Sequence, residues 1–272
     1  MGIITRKPRN PSLRFQTFLD TGDITKRTPE RSLVVGLKKK GGRNAYGRIT
    51  VRHHGGGANQ RYRVIDFKRA EHDVPGTVIA IEYDPNRNVR IGLVAYRNGA
   101  KRYVLLPAGL HVGDQIMAGI NAEAKVGNAT AIKNIPVGFE IHNIEMVPGS
   151  GGKLVRSAGL AAQIMGKTDT HATLKMPSGE IRMVLLDCWA TVGTLGNADY
   201  KNITWGKAGR TRNRGIRPTV RGMAMNPVDH PHGGGEGRSK SGSHPTTPWG
   251  KGCKGTRTRR RKNPLILRRR KP

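Results

Sequence analysis

Short runs of β-branched and aromatic residues, broken by Gly and Pro, dominate the middle of the chain. Two such runs, residues 76–83 (GTVIAIEY) and 88–96 (NVRIGLVAY), are joined by DPNRN, whose residue types favour a turn. Residues 153–163 fit one short helix. Short strands with frequent turns are typical of small antiparallel barrels, so we predict an all-β fold with two barrels in tandem. The other predicted strands are residues 61–67, 101–106, 114–120, 140–146, 161–164, 172–176, 181–186 and 190–193, with a hairpin turn at residues 177–179.

Charge is distributed unevenly along the 272 residues, and its distribution suggests a domain map. The net charge is +31, of which residues 1–60 carry +10, residues 61–200 only +3 and residues 201–272 +18. The basic ends lack the apolar surface that offsets ordering entropy, so we expect them to be poorly ordered without a polyanion. We predict four segments: a basic N-terminal extension (1–60), two barrels (61–125 and 126–200) and a basic, Gly- and Pro-rich C-terminal extension (201–272).

The same composition excludes several classes of protein. A net charge of +31 needs an external polyanion to relieve self-repulsion, which argues against an enzyme of small metabolites. No run approaches the roughly 18 apolar residues of a membrane-spanning helix, and the first residues contain no apolar signal core. Cys188 and Cys253 are too few for a disulfide framework, which favours a reducing compartment. We expect a nucleic-acid partner and no membrane.

The strongest nucleic-acid signal is the glycine-rich segment at residues 41–57, GGRNAYGRITVRHHGGG. Arginine guanidinium groups bind phosphate bidentately and stack on unpaired bases, as do tyrosine and histidine rings. Further basic runs lie at residues 257–262 and 267–271. Folded RNA has deep grooves into which thin cationic arms can thread, so RNA is favoured over duplex DNA. The predicted RNA-contacting residues of this segment are Arg43, Tyr46, Arg48, Arg52, His53 and His54.

Two other motifs suggest chemistry that the surrounding sequence does not support. Residues 161–168, AAQIMGKT, fit a relaxed phosphate-loop pattern, which requires a Gly-rich turn leading from a strand into a helix. The residues that follow predict a strand, so we expect a strand that ends in a Gly-Lys turn. The pairs His53 with His54 and His230 with His232 lack the four ligands at set spacings of a zinc site. We predict neither metal nor cofactor.

An acid–base pair is the more serious alternative. Asp229 precedes His230, and a carboxylate can orient an imidazole for general-base work. However, neighbours in sequence point in different directions, and no Ser or Cys nucleophile can be paired with them. The prolines and glycines of residues 226–238 suggest a backbone shaped for close approach. A structural RNA-contacting loop is therefore favoured over a catalytic dyad, and we assign no catalytic residue.

Several segments resemble one known family. They are residues 55–57 (GGG), 83–88 (YDPNRN), 134–138 (NIPVG), 217–222 (RPTVRG) and 226–238 (NPVDHPHGGGEGR). On these motifs the chain is similar to the bacterial-type members of the universal second protein of the large ribosomal subunit. The resemblance runs from about Gly41 to Trp249, although Asn213 stands where many members carry Trp, flanked by Arg212 and Arg214.

The resemblance implies an oligonucleotide-binding-type barrel followed by an SH3-like barrel, with extensions buried in ribosomal RNA. It implies a primary binder of large-subunit (23S-type) rRNA that supports subunit association, tRNA binding and peptide-bond formation. It also implies a bridge to the small subunit, contacts with neighbouring ribosomal proteins, and a ribosome in the cytoplasm or in an organelle. In the family, a histidine at the position that matches His230 has been proposed to be catalytic, and that role is disputed.

Three functions compete: a structural RNA-binding protein, which is favoured, an acyl- or nucleotidyl-transfer enzyme that uses Asp229 and His230, and a DNA-compacting protein. Tight binding to large-subunit RNA with weak binding to duplex DNA would separate the first from the third. Outside the glycine-rich segment, the predicted RNA-contacting residues are Arg61, Arg63, Arg212, Arg214, Arg217, Arg221, Asn226, His230, His232, Arg238, Trp249, Arg259, Arg260 and Arg261.

Overall fold

The computed structural model describes residues 2–237, 242–256 and 261–270. Within these residues the chain is nearly all strand and turn, and the all-β prediction is confirmed. It forms two compact units. The first, called the barrel unit here, comprises Met1–Lys38, Asn59–Lys207 and Pro264–Pro272, and the second, called the loop unit, comprises Lys39–Ala58 and Ala208–Asn263.

The described part of the chain contains fifteen strands and one α-helix. The strands are β1 (Ile3–Thr5), β2 (Thr17–Leu19), β3 (Val34–Gly36), β4 (Arg61–Arg63), β5 (Gly76–Glu82), β6 (Ile91–Tyr96), β7 (Lys101–Leu105), β8 (Gln115–Ile116), β9 (Ala129–Ala131), β10 (Glu140–His142), β11 (Ala162–Lys167), β12 (His171–Lys175), β13 (Ile181–Leu185), β14 (Trp189–Val192) and β15 (Ile266–Arg268). The helix α1 is Ala208–Asn213, and 3-10 turns cover Arg31–Leu33, Ile132–Asn134, Ala198–Asn202 and Gly222–Ala224.

The barrel unit contains two larger sheets and two antiparallel pairs, β1-β2 and β3-β4. The first of the larger sheets is four-stranded and antiparallel, in the order β7-β6-β5-β8. Its pairing register shifts between Val78 and Ala80, and the intervening Ile79 is exposed while both neighbours are buried. This bulge bends the strand and keeps the apolar side chains on the inner face. Two buried clusters pack on the sheet, one around Ile91, Leu93 and Tyr103 and the other around Val78, Val94 and Ile116.

The second sheet is seven-stranded, in the order β15-β13-β12-β11-β10-β14-β9. Its core contains Ile141, Ile164 and Leu174, all fully buried. The hairpin between β12 and β13 turns at residues 177–179, where Met176 N–H donates to the Glu180 carbonyl at 2.8 Å, so the predicted turn is confirmed. The edge strand β15 pairs with β13, although the two strands are far apart in sequence.

Several local predictions are wrong. The strands expected over residues 114–120 and 140–146 extend only over Gln115–Ile116 and Glu140–His142. The strand expected over residues 61–67 ends at Arg63, and Ile65 makes only an isolated bridge to Tyr103. The short helix expected within residues 153–163 is absent from these described residues. Leu154 instead bridges Ile144, and Val155 has a φ of 50°. A β-branched residue at positive φ cannot continue a right-handed helix.

Residues of the predicted N-terminal extension pack within the barrel unit. The Arg90 Nε atom lies 2.9 Å from the Asp23 carboxylate. Glu30 N–H donates to the Tyr103 hydroxyl at 2.7 Å, and that hydroxyl donates to Glu82 at 2.7 Å. Residues 1–38 and 264–272 therefore group with the barrels, while residues 39–58 do not. The four-part division itself stays a prediction.

His142 gives the barrel unit a pH-dependent stability. Its side chain is fully buried, its Nδ1–H donates to the Gly193 carbonyl at 2.7 Å, and burial lowers its pKa to about 4. In the unfolded chain the pKa returns to about 6.5, so the unfolded state binds the extra proton first as the pH falls. We expect His142 to remove about 3 kcal/mol of unfolding free energy between pH 6.5 and pH 4, at about 1.4 kcal/mol per pKa unit.

The measurement is urea unfolding of the full-length protein between pH 7.5 and pH 4.5. In His142→Asn the amide can still donate to the Gly193 carbonyl but cannot titrate, so its stability should fall less steeply with pH than that of the wild type. The exposed His111→Asn is the matched control and should keep the wild-type slope. Equal slopes in wild type and His142→Asn would contradict the assignment.

Candidate nucleic-acid interface

Most of the predicted RNA-contacting residues lie in the loop unit, and most of those are exposed. His53, Arg212 and His232 are half-buried and His230 is buried. The exposed members are Arg43, Tyr46, Arg48, Arg52, His54, Arg214, Arg217, Arg221, Asn226, Trp249 and Arg261.

The glycine-rich loop, residues 41–57, begins as a small hairpin. Arg43 bridges Ile49, and the Asn44 side-chain oxygen accepts the backbone N–H groups of Tyr46 and Arg48, each at 3.0 Å. Tyr46 therefore stands at the tip, where it is 89% exposed. An exposed ring between arginines is suited to stacking on an unpaired base.

The far end of this loop is fixed to the segment that follows helix α1. Gly55 N–H donates to the Gly215 carbonyl at 2.9 Å, and Arg217 N–H donates to the His53 carbonyl at 3.0 Å. Gly57 has a φ of 82°, and a methyl group added there would lie 2.6 Å from the backbone nitrogen of Gly215. Only glycine permits this close approach of the two backbones.

Five cationic or titratable side chains converge where these two segments meet. Arg43, Arg52, His53, His54 and Arg217 line a cavity of about 470 Å³, and no Asp or Glu lines it. A cleft lined by one sign of charge concentrates counter-ions, and phosphate groups are anions of the matching sign. Arg217 is far from the other four residues in the sequence, and the fold brings all five together.

Helix α1, which precedes the segment that contributes Arg217 to the cavity, carries further arginines. Arg212 is half-buried, and its Nη1 atom is buried without a hydrogen-bond partner among the described residues. Such an orphaned guanidinium nitrogen is costly unless it meets an acceptor. Phosphate oxygens are acceptors of the required kind.

A second loop, residues 222–235, called the histidine loop here, closes around His230. The His230 ring is 8% exposed, and its Nδ1 atom accepts the backbone N–H of His232 at 3.0 Å. A methyl group added at Gly222 would lie 2.5 Å from this ring. A methyl group at Gly233 would lie 2.4 Å from the Asn226 carbonyl oxygen. The loop is therefore built on close backbone approach, as the prolines and glycines of the sequence suggest.

This geometry does not assemble an acid–base dyad. Asp229 is exposed, whereas His230 is buried, and the Nδ1 position that a triad carboxylate would occupy already accepts from the His232 backbone. Asp229 and His230 make their backbone contacts with the Asn226 carbonyl, at 2.9 and 3.3 Å. The Asn226 side chain accepts the Val228 N–H at 3.2 Å and so shapes the turn.

A third element, the tryptophan hairpin at residues 245–253, presents Trp249. Thr246 bridges Gly252, Thr247 N–H donates to the Lys251 carbonyl at 2.7 Å, and Trp249 is 75% exposed. The hairpin is joined to the histidine loop by His232, whose Nε2 atom accepts the Thr246 N–H at 3.2 Å. His232 therefore holds two loops together, and its predicted contact with RNA stays a prediction.

The remaining predicted residues are placed less favourably or lie outside the description. Arg61 is exposed in the barrel unit. Arg63 is only 9% exposed, and its Nη1 atom donates to the Arg61 carbonyl at 3.2 Å, so its guanidinium is directed to the protein. Arg238, Arg259 and Arg260 lie outside the described residues.

Sequence reasoning missed two residues that shape the interface. The Lys39 ammonium group donates to the carbonyls of Gly57 at 2.8 Å and Ala58 at 2.6 Å, which ties the base of the glycine-rich loop. Thr246 anchors His232. Lys39 lies in a run of three lysines that looks like a solvated charge cluster, and nothing in the sequence distinguishes it from its neighbours.

Other chemistries find little support in the described part of the chain. The segment that resembled a phosphate loop is strand β11, as expected, but Gly166 and Lys167 lie within the strand and the chain turns after them into β12. The Lys167 Nζ atom donates to the Lys133 carbonyl at 2.7 Å. No group of three or more His, Cys, Asp or Glu side chains is arranged to hold a metal ion within residues 2–237, 242–256 and 261–270. No helix of those residues has the length and apolar character to cross a bilayer.

The two cysteines offer a direct test of the tryptophan hairpin. Cys188 is buried, and burial raises its pKa to about 11, whereas Cys253 is exposed at the end of the hairpin. Because the thiolate is the reactive form, a maleimide at pH 7.5 should label Cys253 at least about tenfold faster than Cys188. If the hairpin contacts RNA, bound rRNA should slow the labelling of Cys253. Equal labelling with and without bound rRNA would show that the hairpin stays free.

Two family models match this chain in succession. The first, described as Ribosomal Proteins L2, RNA binding N-terminal domain, matches residues 30–118. The second, described as Ribosomal Proteins L2, C-terminal domain, matches residues 125–250. Together they span the four-stranded sheet, all of the seven-stranded sheet except β15, and most of the loop unit. The predicted order of an oligonucleotide-binding-type barrel followed by an SH3-like barrel is thereby confirmed.

Proposed function

The chain belongs to the ribosomal protein L2 family, a family of RNA-binding proteins of the large ribosomal subunit, and from that premise we propose that it is a primary binder of 23S-type rRNA. In this proposal it supports subunit association, tRNA binding and peptide-bond formation near the peptidyl-transferase region. It acts there as a structural protein and not as an enzyme.

The loop unit is the observation that supports this proposal most directly. Its only acidic residues are Asp229 and Glu236, against many lysines and arginines. Two of its hairpins present an exposed aromatic ring at the tip, Tyr46 in one and Trp249 in the other. Cationic surface with protruding aromatic rings is the combination that binds phosphates and stacks on unpaired bases.

The histidine loop supports a shape-giving role at the peptidyl-transferase region. His230 is held inside the loop by the His232 backbone and by Gly222, so its ring is not presented to a substrate. A general base must come within hydrogen-bond reach of the proton it abstracts. The transfer-enzyme alternative therefore lacks both an exposed base and a paired nucleophile.

Binding competition tests the RNA assignment. Full-length protein should bind large-subunit rRNA tightly, and excess random duplex DNA should compete weakly at the same salt concentration. Small-subunit rRNA of similar length is the matched control for charge alone. If duplex DNA and small-subunit rRNA both competed as well as unlabelled large-subunit rRNA does, the DNA-compacting alternative would be favoured.

The remaining partners follow from the same proposal. The small subunit is contacted across an intersubunit bridge, neighbouring ribosomal proteins are contacted within the large subunit, and the protein works in a cytoplasmic ribosome, with an organellar ribosome as the alternative. Crosslinking of assembled particles, followed by identification of the linked protein and RNA, tests each of these partners separately.

A further inference from the structure

The cavity of the loop unit has a wall whose backbone is tightly specified. The backbone N–H groups of Thr50 and Val51 donate to the Gly42 carbonyl at 2.9 and 3.1 Å. His53 has a φ of 62°, which non-glycine residues seldom adopt, and His54 bridges Ile216 on the opposite segment. A conformation of this kind persists only where its surroundings hold it, and at functional sites such strain often positions a side chain.

The size and lining of the cavity restrict what it can hold. Its volume is about 470 Å³, within the roughly 300–1,000 Å³ typical of small-ligand sites. A bare phosphate would leave most of that space empty. Arg43, Arg52 and Arg217 supply donors for phosphate oxygens, and the His53 and His54 rings offer flat surfaces and ring nitrogens. The side chains of Ile49 and Val51 add apolar surface to the same wall.

We propose that this cavity holds a single unstacked nucleotide of the bound RNA, with its phosphate on the arginines and its base against the two histidines. The proposal rests on the proposed function, since the nucleotide belongs to the large-subunit rRNA. Unpaired bases that leave the stack are commonly held by aromatic or guanidinium planes and by contacts to their edges. Gly55 and Gly56 also line the cavity and contribute no side chains that would block a sugar-phosphate chain.

Filling the cavity without changing its charge tests the proposal. Val51 lines the cavity and is half-exposed, so Val51→Trp should occupy the space and leave every arginine in place. Val35→Trp, at an exposed position of the barrel unit, is the matched control. The measurement is acylation of the 2′-hydroxyl groups of large-subunit rRNA bound to each full-length variant, together with the dissociation constant.

We expect one nucleotide to become at least fivefold more reactive in the Val51→Trp complex, with the overall dissociation constant changed less than threefold. Val35→Trp should reproduce the wild-type pattern. An unchanged pattern with Val51→Trp would overturn the nucleotide site and leave rRNA binding intact. Failure of the wild-type protein to bind the rRNA would overturn the proposed function, and the nucleotide site with it.

A second measurement distinguishes a nucleotide from a simple phosphate. The free full-length protein is titrated with uridine 5′-monophosphate, uridine or inorganic phosphate while the imidazole carbon-bound protons of His53 and His54 are followed by NMR. The monophosphate should shift these signals at a concentration at least fivefold lower than either fragment requires. Arg97→Gln, which changes an exposed arginine of the barrel unit outside the cavity lining, should bind as wild type does. Inorganic phosphate that matches the monophosphate would reduce the cavity to a plain anion site and overturn the proposal.

Discussion

Ribosomes that contain Gly233→Val should lose at least about tenfold in the single-turnover rate of peptide transfer, whereas His230→Gln should stay within about threefold of wild type. A side chain at Gly233 would meet the Asn226 carbonyl at 2.4 Å and the Met225 carbonyl at 2.7 Å, and both are backbone atoms that cannot turn aside. Overpacking of this kind typically costs about 1–3 kcal/mol and displaces the surrounding loop. Glutamine at position 230 keeps a hydrogen-bonding side chain of similar size but cannot titrate near neutrality.

The constraint at Gly233 is therefore space, since its φ is not in the left-handed region, whereas Gly234 has a φ of 86°. Gly242→Val is the matched control, because no atom lies within 4 Å of an added methyl group there. The measurement requires that every variant protein is first shown to be incorporated into the ribosomes to the same extent. A large rate loss in His230→Gln with a near-normal rate in Gly233→Val would show acid–base chemistry at His230.

Replacing Arg43, Arg48 and Arg52 together with glutamine should weaken rRNA binding about a hundredfold at 0.1 M salt. Each neutralised phosphate contributes about 0.7–0.9 to the slope of log affinity against log salt concentration, so the slope should decrease by roughly 2–3. All three side chains are exposed on the glycine-rich loop. The measurement is the dissociation constant of full-length protein for large-subunit rRNA from 50 to 400 mM salt.

The corresponding lysine variant separates charge from geometry. Three lysines keep the positive charge, so the salt slope should stay at its wild-type value, while the loss of the planar guanidinium fork lowers affinity at every salt concentration. A slope that stays unchanged in the glutamine variant would show that these arginines are only solvated. Point substitutions are preferable to removal of residues 250–272, because that deletion would also remove strand β15 from its sheet.

The sequence pattern predicted the long strands well and the short ones poorly. Strands β5, β6 and β12 carry dense β-branched and apolar residues, and each begins and ends within a few residues of its predicted range. Strand β9 is Ala129–Ala131, and its small residues become a strand only because β14 pairs with them. Strand β15 depends in the same way on β13. Pairing across a long sequence separation leaves no local signal.

The residue types of the candidate interface could be predicted from the sequence, but their arrangement in space could not. Arginines, glycines and aromatic residues in the sequence identified the glycine-rich loop. The motif of prolines, histidines and glycines at residues 226–238 identified the histidine loop. The burial of His230 and the inward direction of Arg63 could not be predicted, since burial depends on contacts made by residues far away in sequence. The convergence of Arg217 with His53 likewise depends on backbone hydrogen bonds between two distant segments.

The position of β15 affects how the chain is made. Strand β13 ends at Leu185, and its outer partner begins at Ile266, so the ribosome translates the whole segment Ala208–Asn263 while that edge stays unpaired. At about 5–20 residues per second, the delay is on the order of 4–16 s. An open sheet edge is a template for pairing with another chain. The nascent protein thus passes through an aggregation-prone interval, which ends when Ile266–Arg268 emerges and covers β13.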